Sequence, residues 1–118
     1  MDLIKQKCKP CEDKSIAPFD EVEARLYIRE AEGFVLSEDF KKISKDFVFK
    51  NFVEAIDFVE NVADIAEEEG HHPDIAIYYN KVNIELWTHS IDGLSVNDFI
   101  LAAKINERFE GLSKFKAQ

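Results

Sequence analysis

The sequence contains no long hydrophobic run. Its apolar stretches are only a few residues long and are broken by charges, and the amino-terminal segment MDLIKQKCKP has no apolar core of signal-peptide length. Basic residues are also scarce, because 15 Lys and Arg stand against 24 Asp and Glu, a formal net charge of −9. This charge repels polyphosphate, so no direct nucleic-acid binding is expected. We expect a soluble cytoplasmic protein without a membrane partner.

Cysteine occurs only twice, as Cys8 and Cys11 of a single CxxC motif. A zinc site would need a second pair of ligands, and a thioredoxin-like motif should open a helix after a buried strand. Here a Lys-rich segment precedes the motif and Pro10 lies inside it. Residues 1–17 are therefore predicted to be a poorly anchored leader with two surface thiols. The alternative is weak metal or redox chemistry at this pair.

The rest of the chain is predicted to form a single domain over residues 18–118. The sequence is 46% hydrophobic and contains ten Phe, which is enough to fill one core. No linker or repeat is apparent after the leader. Small domains often bury further apolar surface by self-association, and the aromatic content of this chain leaves room for it.

Two helices are indicated by their caps and spacing. Asp20 and Glu23 stand in capping-box positions, which predicts a first helix from Asp20 to Gly33. From Lys50 to about Glu69, apolar residues recur at helical spacing, which predicts the strongest helix of the chain. Gly70 is suited to cap that helix at its carboxyl end.

A third helix and two hairpins complete the pattern. The segment FVLSEDFKKISKDFVF alternates in the manner of two antiparallel strands, and IAIYY and VNIELWT form a second strand pair with a turn at Asn80 and Lys81. Ser95 and Asp98 have capping-box spacing at the start of the last helix.

The resulting order, α-β-β-α-β-β-α, predicts a two-layer α+β domain. A four-stranded antiparallel sheet would carry its helices packed on one face. The other face would present Asn83, Glu85 and Trp87 or their neighbours to a ligand or a partner subunit.

All three histidines lie between Glu67 and His89. A turn at Asn80 and Lys81 would set His89 opposite His72, but Pro73 ends regular pairing before that point, so we expect the three imidazoles to lie in contact range at one end of the sheet. Imidazoles titrate near neutral pH, so this cluster can supply a proton donor and a proton acceptor, as a dehydration requires.

Simpler roles for these side chains stay open at this point. His71 and His72 follow a helix end and could merely complement its dipole, while His89 could be an ordinary surface residue. Zinc binding is a rival, although an adjacent His-His pair seldom points both rings at one metal and no Cys lies nearby. Asp98 is explained more simply as a helix cap than as a catalytic group.

The stretch EEEGHHPDIAIYYNKVNIELWTHSIDGLSVNDFILA closely resembles the pterin-4a-carbinolamine dehydratase family. That family has an acidic residue, His-His-Pro, an aromatic, a distal His and a later Asp. The matching positions are Glu67, His71, His72, Pro73, Tyr78 or Tyr79, His89 and Asp98. Phe34 and Gly70 depart from the family, where many members have Trp and a polar residue.

The resemblance implies a metal-free enzyme without a bound cofactor, which eliminates water from 4a-hydroxytetrahydropterin to give the quinonoid dihydropterin in pterin recycling. His71 and His89 would act as acid and base, and His72 would hold the pterin ring. It also implies a dimer or tetramer, and an alternative, non-catalytic role as a dimerisation or regulatory cofactor on the same fold. The residues implied to bind substrate are Glu67, Pro73, Thr88 and Ser90.

Overall fold

The computed structural model describes residues 2–9 and 17–116, which form a sheet and a helical layer. The helices are α1 (Glu21–Tyr27), α2 (Phe52–Glu69) and α3 (Val96–Lys116), and the strands are β1 (Val35–Leu36), β2 (Ile43–Val48), β3 (Asp74–Tyr78) and β4 (Lys81–Leu86). Neighbouring strands are antiparallel in the order β1-β2-β4-β3. The predicted α-β-β-α-β-β-α fold is confirmed.

Helices α2 and α3 cover the sheet face that carries Phe47. The Phe47 ring lies 4.7 Å from Phe58 of α2 and 5.0 Å from Phe109 of α3, measured between centroids. The opposite face carries polar side chains, such as Asn83, which donates a hydrogen bond to Asp46, together with the exposed Val48 and Tyr78. The apolar core therefore lies between the sheet and the helices, as the alternation along the strands predicts.

The first helix begins as predicted and ends earlier. Asp20 and Glu23 form the complete capping box. The α-helix stops at Tyr27 and tightens into a 3₁₀ turn over Ile28–Glu30, so the predicted end at Gly33 is wrong. The amide of Ala31 bonds the carbonyl of Ile28, and this i to i+3 bond ends the helical run.

The second hairpin turns one residue earlier than predicted. Tyr78 pairs with Lys81, so the two turn residues are Tyr79 and Asn80, and Tyr79 has a φ of 54°. Two hydrogen bonds to Phe49 fix Asn80. The side-chain amide of Asn80 donates to the Phe49 carbonyl, and the backbone amide of Phe49 donates to the Asn80 carbonyl. Since the register differs by two residues, each side chain keeps its predicted face.

In this register, His72 and His89 are not paired across the hairpin. Pairing at the open end of the hairpin stops at Asp74 with Glu85. The His72–His89 opposition that the predicted turn would set is therefore absent, and the histidines are joined by other contacts.

Residues 2–9 are anchored, so the prediction of a poorly anchored leader is wrong for them. Leu3 and Cys8 are buried, which also excludes a surface position for the Cys8 thiol. The amide of Cys8 donates to Glu69 Oε1 at 2.9 Å, and the amide of Lys9 donates to Asn97 Oδ1 at 2.9 Å. Buried side chains thus satisfy the backbone of this amino-terminal segment. Cys11 lies outside the described residues.

The side chain of Glu69 makes a pH-dependent contribution to the free energy of unfolding. Burial raises the pKa of Glu69, but hydrogen bonds from Lys104 and the Cys8 amide, with the charges of Lys104 and Lys7, outweigh it, so the pKa lies below its usual value. A depressed folded-state pKa stabilises the protein above the unfolded-state pKa, and this contribution disappears as pH falls through the folded-state value.

Glu69→Gln is expected to lower the free energy of unfolding at pH 7 by about 1–3 kcal/mol, because charge-assisted hydrogen bonds to a buried group are lost. The deficit should shrink as pH falls through the folded-state pKa of Glu69, when the native carboxylate becomes protonated. Urea unfolding at several pH values measures this, with Glu60→Gln on the exposed side of α2 as the control. A deficit that does not change with pH would contradict the role of the charge.

Candidate active site

His71 is placed by the end of α2. Gly70 adopts the left-handed conformation with a φ of 69°, as its predicted cap role requires. The amides of Gly70 and His71 both donate to the carbonyl of Ala66, at 2.9 and 3.2 Å. The chain therefore leaves the helix with the His71 side chain turned inward, where it is 4% exposed.

The buried imidazole of His71 meets the carboxylate of Asp98, which is fully buried. Nε2 of His71 lies 2.7 Å from Oδ1 of Asp98. The second oxygen, Oδ2, accepts from the Thr88 hydroxyl at 2.8 Å and from the Ser95 amide at 3.0 Å. Since the Thr88 proton points at Asp98, the Ser95 hydroxyl, 2.7 Å away, donates to Thr88.

The hydrogen bond to Asp98 fixes the tautomer of His71. An ionised carboxylate only accepts hydrogen bonds, so the Nε2 of His71 carries the proton that it donates to Asp98. In the neutral ring, Nδ1 then has the basic lone pair. A carboxylate in this position orients the imidazole and stabilises the positive charge that the ring acquires when it takes up a proton.

Asp98 caps α3 as predicted, and it also binds His71. Its acceptance of the Ser95 amide is the capping-box contact that the spacing predicts. Sequence reasoning missed its bond to His71, since the two residues are 27 positions apart. The later Asp of the family signature was the signal that could have revealed this role.

His72 is exposed, unlike His71. Its Nε2 is hydrogen-bonded to Oε2 of Glu67, which lies two residues before the end of α2 and is also exposed. Glu67 thus orients His72. The half-buried Pro73 follows and leads the chain into β3.

His89 opens a 3₁₀ turn over His89–Ile91, which is separated from the end of β4 by Trp87 and Thr88. Its exposed ring packs on the indole of Trp87, with centroids 4.0 Å apart. The preceding residue, Thr88, bridges to Gly93, whose carbonyl accepts from the Thr88 amide at 2.8 Å. The half-buried Ser90 lies in the same turn.

Two hydrogen-bonded links hold the three histidines in one region. Asp98 joins His71 to Thr88, the residue before His89. Trp87 donates from Nε1 to Asp74 Oδ2 at 3.0 Å, and Asp74 stands two positions after His72. Segments 71–74 and 87–90 are therefore tied together at two points. The arrangement offers one buried imidazole on a carboxylate and two exposed imidazoles.

Among residues 2–9 and 17–112, no group of three His, Cys, Asp or Glu side chains could hold a metal ion. The predicted absence of a metal stays a prediction for chemical analysis. In the same part of the chain, no helix is long and apolar enough to cross a membrane.

Comparison with known proteins shows the family of this chain. Residues 17–108 match the family model described as pterin 4 alpha carbinolamine dehydratase. The chain belongs to this family. The matched range contains all three histidines, Asp98 and the whole sheet, and begins after the anchored amino-terminal segment.

Relatives within the dehydratase family align along most of the chain. Pterin-4-alpha-carbinolamine dehydratase 2, mitochondrial, from Arabidopsis thaliana is 46% identical over 109 residues, which cover 90% of this chain and 58% of that protein. A Saccharophagus degradans protein named for the same activity is 41% identical over 93% of this chain and 98% of its own length. The implied enzyme class, a hydro-lyase, agrees with these names.

Solved structures share the fold. A transcriptional coactivator/pterin dehydratase from Brucella melitensis superposes with a TM-score of 0.72 at 32% identity, covering 76% of this chain and 96% of that one. A pterin dehydratase-like protein identified as a RuBisCO assembly factor in the alpha-carboxysome superposes at 0.56 with 22% identity, covering 66% and 90%. The second likeness concerns the fold alone, which does not fix a function.

Proposed function

We propose that this chain dehydrates a 4a-hydroxytetrahydropterin by histidine acid/base catalysis, in the recycling of a pterin cofactor. The observation that carries the proposal is the Asp98 carboxylate, which binds His71 and is linked through Thr88 to the segment of His89. Membership of the dehydratase family supports a pterin as the substrate.

The reaction requires two proton transfers. The C4a–O bond breaks and the hydroxyl leaves as water after it gains a proton, while N5 loses its proton and its electron pair forms the C4a=N5 double bond. In the proposal, His71 takes the N5 proton, because Asp98 stabilises the imidazolium that results. His89, which is exposed at the other segment, protonates the leaving hydroxyl.

The remaining residues bind and orient. His72, held by Glu67, contacts the pterin ring, and Pro73 and Ser90 line the site. Thr88 is only 3% exposed and its hydroxyl is committed to Asp98, so its side chain acts through that carboxylate. We propose no metal or bound cofactor.

A stopped-flow assay with synthetic 4a-hydroxytetrahydropterin tests this function. The dehydration rate should rise in proportion to the protein concentration and should survive dialysis against a chelator, and the purified protein should contain no stoichiometric zinc. A rate equal to the uncatalysed one would overturn the catalytic proposal. Loss of activity with the chelator, together with bound zinc, would favour a metal site instead.

A non-catalytic binding role on this fold is the alternative. The hydrogen-bonded set around Asp98 favours catalysis, because a binding surface has no need of a buried, oriented imidazole. Homo-oligomer formation and a cytoplasmic location stay predictions.

A further inference from the structure

Trp87 is the single tryptophan of the chain and lies between β4 and His89. The family signature and the proposed chemistry give it no role. It is half-buried beside the polar face of the sheet, next to an exposed imidazole. Its contacts point to a function in the site.

Three contacts hold the indole in place. Its Nε1–H donates to Oδ2 of Asp74 at 3.0 Å. Nζ of Lys42 lies 4.7 Å from the ring centroid, in the position of a cation–π contact, and 3.7 Å from Glu85 Oε1. The ring of His89 lies 4.0 Å away, tilted by 39°. An indole bound at its edge and at its face offers the imidazole a fixed surface.

His89 differs from the other two histidines in what orients it. Asp98 binds His71 and Glu67 binds His72, each through a carboxylate oxygen. For His89, the described residues provide no hydrogen bond to the imidazole, and the ring packs on Trp87. An exposed side chain without a hydrogen-bonded partner samples several rotamers unless packing selects one.

We infer that Trp87 is the positioning residue of His89, holding the imidazole in the orientation that proton transfer requires. Asp74 anchors the indole, so the chain segment of His72 also fixes the ring that orients His89. This inference rests on the proposed catalytic role of His89. It extends that role to a residue that makes no proton transfer itself.

Fluorescence tests the ring contact without any assay of activity. Because Trp87 is the only tryptophan, selectively excited emission reports its surroundings alone. His89→Gln removes the ring in contact with the indole and should change the intensity or the maximum of this emission, whereas His72→Gln should leave the spectrum unchanged. An emission spectrum that is the same in His89→Gln as in the parent protein would overturn the inference.

Kinetics test the positioning itself. Trp87→Leu removes the aromatic surface and should lower kcat on the order of 10-fold to 10²-fold with little change in KM, because the acid is misoriented while pterin binding is retained. Trp87→Phe keeps a ring and should recover most of that loss. Phe52→Leu, at an exposed aromatic residue of α2, is the control and should leave kcat unchanged.

The outcomes separate this inference from the proposed function. Full kcat in Trp87→Leu together with a large loss in His89→Gln would overturn the positioning role and leave the catalytic role standing. Full kcat in His89→Gln would overturn the catalytic role of His89 and with it the positioning role, even if fluorescence shows the contact. Should Trp87→Leu fail to fold, Trp87→Phe decides, since a loss as large as that of His89→Gln would contradict ring packing as the cause.

Discussion

His89→Gln is expected to lower the kcat for pterin dehydration by about 10²–10⁴-fold, the usual contribution of a positioned general acid. Glutamine approximates the size of histidine and keeps hydrogen-bonding capacity, but it cannot release a proton. His89 is exposed, so the fold should be unaffected. Stopped-flow kinetics measure kcat, and thermal unfolding checks that the variant is folded.

His72→Gln is the matched variant at the other exposed imidazole. Since His72 is proposed to contact the pterin ring, this change should raise KM more than it lowers kcat. The reverse pattern, a large loss of kcat in His72→Gln and a near-normal kcat in His89→Gln, would exchange the two roles.

Asp98→Asn is expected to lower both activity and stability. The amide has one acceptor oxygen, while Asp98 receives donors from His71, Thr88 and the Ser95 amide. At least one buried donor then meets an NH₂ group, which costs about 1–3 kcal/mol of folding free energy. Because His71 loses its fixed tautomer or orientation, kcat should fall on the order of 10²-fold. Urea unfolding and stopped-flow kinetics on one preparation measure both.

Asn51→Ala serves as the control for a lost cap. Asn51 caps α2 by accepting from the Glu54 amide at 2.9 Å. Its replacement should cost about 1 kcal/mol of stability and leave kcat unchanged. If Asp98→Asn also lost stability alone, with full kcat, Asp98 would be only a cap, which is the simpler role that its spacing suggested.

Local features of the fold were predictable because neighbouring residues determine them. Asp20 with Glu23 and the left-handed Gly70 are caps whose partners lie within five positions, and both are confirmed. The hairpin turn was misplaced because its position depends on Asn80, which is bonded to Phe49, 31 positions away. A contact between residues so far apart in the chain cannot be read from the pattern of neighbouring residues.

The candidate site likewise combines features that could be predicted from neighbouring residues with features that could not. The spacing of His71, His72 and His89 suggested a cluster, and the resemblance supplied its chemistry. Which carboxylate serves which imidazole could not be read from spacing, since Asp98 reaches His71 only after α3 is packed on the sheet. The indole of Trp87 was placed on the sheet face, but its contact with His89 depends on the 3₁₀ turn that follows β4.

The anchored amino-terminal segment, residues 2–9, is packed on the domain but lies outside the range that the family model matches. The match to the family model begins at residue 17, yet the amides of Cys8 and Lys9 donate to the side chains of Glu69 and Asn97. Those two acceptors stand two positions before His71 and one before Asp98. Without residues 2–9, the carboxyl end of α2 and the first turn of α3 would lose these contacts. The packed unit therefore extends beyond the range that the family model matches.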